Sequence, residues 1–496
     1  MNSARHCSPL LRYSRSLRTC SMPLRAKILN PVFLAKATMS TEAAQEDEVR
    51  FLSKRATRTV QLTRPKKLNA LNTSMVEKIT PRVLSWRRSD AAKILLIKGD
   101  DRAFSAGGDV ASVALADGPE PGVDFFSKEY ILDYILASYP KPVVSLINGI
   151  TMGGGAGLSV HGQFRIATEK TVFAMPETLI GFYPDVGTSF FLSRLDGELG
   201  TFLALTGERL NGFDALLGGA ATHYVNSSDL AELETRLAEL DQSGQSLDAK
   251  KFAALVNSAI SDFEVKPTDE GHSFAYGGEI REIIDDAFRF DTVEEIKERL
   301  GALESTSKFA KKTLDILNLR SPTSVKVALG AVRAGRNLDI LEAFKLDVHI
   351  ASTFMSSPDF LTGVNYRVIK KLNGRADWLP EPSNEQVRDT FLKPDYTEAS
   401  PLSDVYKKLE EISDGFTFKD YPFNYGLPTE TEVKSYILGE SKSSGPYLST
   451  KEEIISHFLE DYNNKVGVRT KVAEILNRKT KVVKGHEQEH LVNWVE

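Results

Sequence analysis

Residues 142–187 read PVVSLINGITMGGGAGLSVHGQFRIATEKTVFAMPETLIGFYPDVG, and the rest of the chain is best read outward from them. The apolar run Val143 to Ile147 is short enough for a buried strand, and Asn148-Gly149 breaks it. Gly153-Gly154-Gly155 then leads into small residues that can start a helix. A glycine triplet between a strand and a helix lets the backbone approach a ligand closely and leaves first-turn N–H groups without partners. The helix dipole adds to the attraction for negative charge, so the site suits a developing oxyanion. A second strand, Val172 to Met175, runs into Pro176-Glu177, and Asp185 follows within Tyr183-Pro184-Asp185-Val186-Gly187. An N–H donor site followed by two carboxylates on loops is a set of parts for acyl chemistry.

A second junction of the same kind lies upstream. Ile94 to Lys98 reads as a buried strand, and Phe104-Ser105-Ala106-Gly107-Gly108-Asp109 runs through a glycine loop towards a helix. Before it, Arg58 to Leu62 reads as a strand, and Arg64 to Asn72 as a turn into a helix capped by Asn72 or Thr73. Alternation of strands and helices predicts an α/β domain, and two glycine junctions can supply two N–H donors to one carbonyl oxygen. Each loop alone is equally consistent with tight helix–strand packing. Phosphate-loop, dinucleotide, serine-elbow and zinc-protease motifs are absent from the sequence. The eight histidines are dispersed without metal-ligand spacing, so no metal is expected, and His161 and His223 read as core or loop residues.

The 496 residues carry a net charge of −5. Residues 1–41 hold Arg5, Arg12, Arg15, Arg18, Arg25, Lys27 and Lys36, several serines and no acid, which is the composition of a mitochondrial transit peptide or of a disordered basic tail. Removal of those seven charges would take the net charge to −12, which argues against general nucleic-acid binding and against DNA as a partner. Both cysteines, Cys7 and Cys20, lie in this segment, so the remainder has neither disulfide nor thiol nucleophile. No apolar run is long enough for membrane insertion.

Four motifs in order, Pro65 to Asn72, FSAGGD at 104–109, INGITMGGGAG at 147–157 and MPET at 175–178, resemble the crotonase (enoyl-CoA hydratase/isomerase) superfamily. The resemblance implies a spiral of ββα turns over residues 50–230 that binds an acyl-CoA. The thioester oxygen would lie between the N–H groups of Ala106 and Gly154, with Gly107, Gly108, Asp109 and Gly153 shaping the loops. Hydratases of that superfamily carry a glutamate where this chain has Gly157, and a glycine where it has Asp185. The stretch 150–187, Phe125 to Tyr130, Ser321 to Ser324, and Pro358-Asp359-Phe360 with Gly363-Val364 resemble instead the 3-hydroxyisobutyryl-CoA hydrolases of valine breakdown in the mitochondrial matrix. That resemblance implies thioester hydrolysis, with Glu177 and Asp185 catalytic and Glu129 at the substrate pocket. The acyl-CoA is then the substrate, and no separate cofactor is expected. Members of that family also occur in the mitochondrial small ribosomal subunit, a possible second partner.

A thiol leaving group, with a pKa of about 8.5, needs little acid assistance. Hydrolysis needs an oxyanion site, an oriented water and a base. Glu177 can act as base or attack the carbonyl itself. Asp185 can orient the water or grip a 3-hydroxyl, and Glu129 can tune both. As plain structure, Glu177 would cap a helix and Asp185 would sit in a turn. Lys66 and Lys67, with Arg64 and Arg102, are candidates for the CoA phosphates or a solvated surface. Apolar residues at helical spacing make residues 231–380 a helical region covering the site, with loops and short helices over 241–292. Residues 381–496 form a C-terminal extension whose basic run, Lys465, Arg469, Lys471, Arg478, Lys479, Lys481 and Lys484, reads as a solvated helix face or an RNA contact.

Overall fold

The computed structural model describes residues 47–240, 248–265, 272–445, 447–483 and 490–495. The chain divides into two units, Met1–Asp47 and Glu48–Glu496. The leader expected at 1–41 lies outside the described residues.

The strands of the second unit fall into alternating sheets because each turn of chain gives one strand to either. Ile94–Lys98 is followed by Ala103–Ser105 and a short helix, Val143–Ile147 by Ile150–Met152 and the helix Gly154–Val160, and Phe164–Ala167 by Val172–Ala174 and the 3-10 helix Glu177–Ile180. The first member of each pair joins a six-stranded sheet, ordered Val49–Lys54, Thr57–Leu62, Ile94–Lys98, Val143–Ile147, Phe164–Ala167, His223–Tyr224. The second members line up with Leu210–Asn211 in a four-stranded sheet. Thr57–Leu62 to His223–Tyr224 run parallel, and the central pair, Ile94–Lys98 and Val143–Ile147, is near-continuously apolar, as strands covered on both faces are. This is an α/β ββα spiral, and the glycine junctions are the points where it turns from strand to helix.

The helix that binds the spiral to the rest is Glu120–Ala137. Twelve of its residues are buried, including Phe125, Phe126, Tyr130 and Tyr134, so it is apolar on nearly every side, as an interior helix must be. It packs between the helices Thr73–Arg88 and Ile340–Met355. Asn72 caps the first of these by accepting from Met75 N–H at 2.9 Å. Beyond residue 230 the chain is mainly helical. Residues 249–261 and 278–288 form helices of 13 and 11 residues where loops and short helices are expected from sequence, because their apolar faces pack onto the core. Among the described residues no helix is long and apolar enough to cross a membrane.

The C-terminal stretch adds the helices Asn384–Phe391, Ser403–Ser413, Glu430–Ile437, Lys451–Asp461 and Val468–Lys479, with a small sheet in which Leu491–Trp494 lies centrally. Its basic run is a solvated face only in part: Arg469 and Lys481 are exposed, while the side chains of Lys465, Lys471 and Arg478 are buried. Lys465 pairs with Glu264 at 2.9 Å and Lys471 with Asp196 at 2.6 Å, and all four side chains are almost wholly buried. Arg478, 1% exposed, lies against Glu474, Glu430 and Asp285. Burial works against its charge, but the carboxylates of Glu474 and Glu430 more than offset this and hold the guanidinium ionised. Lys465, Lys471 and Arg478 thus bolt the extension to acids elsewhere, at Glu264, Asp196 and Asp285. Lys484 lies outside the described residues.

Removing one member of a buried charge network strands the others. Arg478→Met should therefore cost about 3–5 kcal/mol of stability, read as a lowered midpoint in denaturant or thermal unfolding. A midpoint equal to wild type would mean that the network contributes nothing.

Candidate active site

The two glycine loops meet. A Cβ placed on Gly107 would lie 3.6 Å from both Gly153 Cα and Gly154 N. The first loop is fixed by a parallel bridge to Leu71, whose N–H donates to Gly107 O at 2.8 Å and whose carbonyl accepts from Asp109 N–H at 2.7 Å. Bridging through 107 and 109 turns the Gly108 peptide to the opposite side, and its N–H has no acceptor among the described residues. Gly154 opens a helix, and its N–H likewise has none. Ala106 differs. Its N–H donates to the Leu68 carbonyl at 2.9 Å, so the donor expected at Ala106 is already occupied, and Gly108 takes its place as the free N–H of that loop.

These loops border a cavity of about 600 Å³. Ala106, Gly107, Gly108, Asp109, Glu129, Gly153, Gly154, Glu177, Asp185 and Lys67 all line it. Lys66 does not, and it projects to solvent. Asp109 is held in an ion pair with Arg64 at 2.8 Å, and Arg64 also meets Glu48 at 3.1 Å. That pairing keeps the Asp109 carboxyl below its usual range despite burial and engages Arg64 away from any anionic ligand. Arg102 is exposed outside the lining.

The acids converge from three directions. Glu129 comes from the helix Glu120–Ala137, Glu177 from the start of its 3-10 helix, and Asp185 from the loop beyond. Glu129 Oε1 lies so near the Gly154 backbone that a Cβ there would come within 2.2 Å of it, and Glu177 Oε1 stands 2.8 Å from the equivalent point on Gly153. Exposure is 1%, 6% and 3% for Glu129, Glu177 and Asp185. Burial, then the charge of Asp185, pushes Glu129 well above an ordinary carboxyl, and burial with Asp185 and Glu129 does the same to Glu177. Asp185 rises less, to about 7, because the Tyr130 hydroxyl donates to its Oδ2 at 2.7 Å and stabilises the carboxylate. Of the three acids Asp185 releases its proton first as pH rises. The chemistry available is an oxyanion site with three buried carboxyls beside it, of which Asp185 ionises most readily.

Several residues of this arrangement carry no local signal in the sequence. Tyr130 follows Glu129 in an apolar helix and reads as core. Asp133, one turn on from Glu129 and 0% exposed, has neither oxygen hydrogen-bonded among the described residues. Asp347 accepts from Gly187 N–H at 2.6 Å and from the Tyr183 hydroxyl at 2.9 Å, which fixes the loop behind Asp185. Arg367 and Lys371 line the cavity from residues 365–373, far along the chain. Asp133 also explains Gly157. A Cβ at 157 would lie 2.5 Å from Asp133 Oδ2 and 2.7 Å from Val186 Cβ, so the space a glutamate would take there is filled.

Comparison with known proteins agrees with this architecture. The enoyl-CoA hydratase/isomerase profile matches residues 57–393. The chain is 42% identical to small ribosomal subunit protein mS47 of Neurospora crassa, over 97% of this chain and 96% of that protein. It is 42% identical to the mitochondrial 3-hydroxyisobutyryl-CoA hydrolase of Gallus gallus, over 67% of this chain and 84% of that one. The crystal structure of a carnitinyl-CoA dehydratase from Mycobacterium thermoresistibile superposes with a TM-score of 0.61 at 30% identity, covering 71% of this chain and 98% of that one.

Two outcomes follow from the geometry. Tyr130→Phe removes a donor that favours the ionised form of Asp185. The acid limb of any activity that needs this carboxylate, near pH 7 in the wild type, should move to higher pH. A limb that stays or moves down contradicts the assignment. Gly157→Glu should overpack the site against Asp133 and cost about 1–3 kcal/mol, seen as a lower melting temperature, without producing hydration of crotonyl-CoA. Appearance of hydration would show that the space is open.

Proposed function

We propose that this chain, which belongs to the enoyl-CoA hydratase/isomerase family, hydrolyses a short 3-hydroxyacyl-CoA thioester, 3-hydroxyisobutyryl-CoA first among them, in the mitochondrial matrix. The observation that carries this is the meeting of two unpaired N–H groups, Gly108 and Gly154, with Glu177 and Asp185 in one cavity that has no acid at 157. Addition of water across a double bond calls on a second acid there. Thioester cleavage does not.

In this reading the thioester oxygen accepts from the N–H groups of Gly108 and Gly154, which gain strength as it becomes an oxyanion. Either Asp185 takes a proton from the attacking water while the proton of Glu177 passes to the departing thiolate, or the Glu177 oxygen attacks the acyl carbon. In the second route the C–S bond breaks, the proton of the neutral Glu177 passes to the departing thiolate, and a mixed anhydride remains. Water then adds to the acyl carbon, Asp185 takes its proton, and the Glu177 carboxylate is released. Both routes use Asp185 as the ionised partner. The apolar wall of Phe126, Ile180 and Phe182 suits a short branched acyl group. Lys67, Arg367 and Lys371 supply the positive charge that the CoA phosphates call for, and the acyl-CoA is substrate, with no separate cofactor.

A second reading rests on the extension. Similarity to the Neurospora ribosomal protein runs over nearly the whole chain, past residue 393 where the family profile ends, whereas the Gallus hydrolase matches 67% of it. The proposal is that residues 381–496 add attachment to the mitochondrial small ribosomal subunit to an intact hydrolase site. Of the basic run, Lys465, Lys471 and Arg478 are held in buried ion pairs and do not supply an RNA contact.

Release of free CoA tests the first reading. Glu177→Gln and Asp185→Asn keep side-chain size and lose proton transfer, so each should lower kcat by about 10²–10⁴-fold. Lys67→Ala should mainly raise KM, and Lys66→Ala should do little, because only Lys67 borders the cavity. Near wild-type kcat in both acid variants, or crotonyl-CoA hydration faster than CoA release by the wild type, would defeat it.

A further inference from the structure

The residues that follow Asp185 are strained. Val186 has φ of +55°, a left-handed conformation that a β-branched side chain adopts only at a cost, and Gly187 follows at +74°. Such a backbone persists only where its surroundings over-determine it. Asp347 holds the Gly187 N–H, and His161 holds the Val186 carbonyl from Nε2 at 2.9 Å. A carbonyl oxygen only accepts, so His161 Nε2 must carry the hydrogen. Burial brings the imidazole down to about 4, so it is neutral at working pH, and Nδ1 is left as an acceptor. The group facing Nδ1, at 2.9 Å, is the hydroxyl of Tyr421.

Tyr421 lies 28 residues past the end of the family profile, in the irregular stretch between the helices Ser403–Ser413 and Glu430–Ile437. That stretch is fastened to the core at successive points. The Tyr134 hydroxyl donates to Phe416 O at 2.5 Å, Ile340 N–H to Phe418 O at 3.0 Å, and Arg194 Nε to Lys419 O at 3.0 Å. The Tyr421 ring packs edge-on to Phe190 at 5.3 Å. The extension therefore reaches His161, behind the loop that follows Asp185, and meets it through a hydrogen bond.

We infer that Tyr421 is a positioning residue for Asp185: its hydroxyl donates to His161 Nδ1, which fixes the tautomer whose Nε2–H holds the Val186 carbonyl and keeps the Asp185 carboxylate on its cavity face. The inference rests on the hydrolase reading for its kinetic consequence, but not for its structural one. It gives the extension a part in the site that the family core alone does not contain, and it makes the loop behind Asp185 answerable to whatever holds the extension.

Tyr421→Phe keeps the ring and deletes only the donor. It should lower kcat for CoA release about tenfold, since small misplacements of a catalytic group cost rate, with KM and melting temperature close to wild type. In a His161→Gln background the same substitution should add nothing, because both act through one chain of bonds. Unchanged kcat, or an additive effect in the double variant, would overturn the inference. Nitrogen-15 spectra of the full chain provide a readout independent of turnover. The His161 Nδ1 resonance, assigned by its loss in His161→Gln, should move towards that of an unbonded imine nitrogen in Tyr421→Phe, and an unshifted resonance overturns the contact even if the wild type proves inactive. A wild type without thioesterase activity but with that spectral shift would refute the hydrolase reading and leave the Tyr421–His161 link standing.

Discussion

A buried carboxylate that is to keep its charge must be given donors, and the one between Tyr130 and Asp185 decides which acid of this site ionises. Without it, burial would push Asp185 further above an ordinary carboxyl, towards the raised Glu129 and Glu177. Much of the molecule is arranged so that this bond can exist. The helix Glu120–Ala137 must be apolar almost all round to lie in the interior, yet it carries Glu129, Tyr130 and Asp133 on the side towards the loops. The helix Ile340–Met355 brings Asp347 to Gly187, and the left-handed Val186 turns the loop so that Asp185 faces the hydroxyl.

The same geometry separates two chemistries within one fold. Both need a polarised carbonyl, and the spiral supplies it by leaving the Gly108 and Gly154 N–H groups unpaired where its strands turn into helices. What differs is the supply of acids. Asp133 fills the volume beside Gly157, and Asp185 joins Glu129 and Glu177 in lining the cavity. A change of reaction by exchange of space between two helices needs no change in the backbone that holds the thioester.

Local rules were enough for the parts of the fold that are local. Ile94–Lys98 and Val143–Ile147 are apolar runs bounded by breakers and form strands at those bounds, and Asn72 caps its helix as its side chain predicts. Glu129, Glu177 and Asp185 were legible from motif order and do meet in one cavity. Ala106 was misplaced as a donor because its N–H is taken by the carbonyl of Leu68, a partner 38 residues away. Lys66 and Lys67 are equivalent in sequence and both exposed, and only the turn decides that Lys67 alone borders the cavity. Tyr130, Asp133, Asp347 and Tyr421 act through partners distant in the chain, and the basic run of the extension finds its acids at Asp196, Glu264 and Glu430. Long-range pairing of this kind has no signature in spacing or composition.

The central claim is that Gly108 and Gly154 form the oxyanion site facing Asp185, and a crystal structure of the Asp185→Asn chain with bound 3-hydroxyisobutyryl-CoA tests it most directly. The account predicts the thioester oxygen at about 3 Å from both N–H groups, with the acyl carbon open towards residues 177 and 185. A thioester oxygen bonded elsewhere, or an acyl group lying outside this cavity, would contradict it.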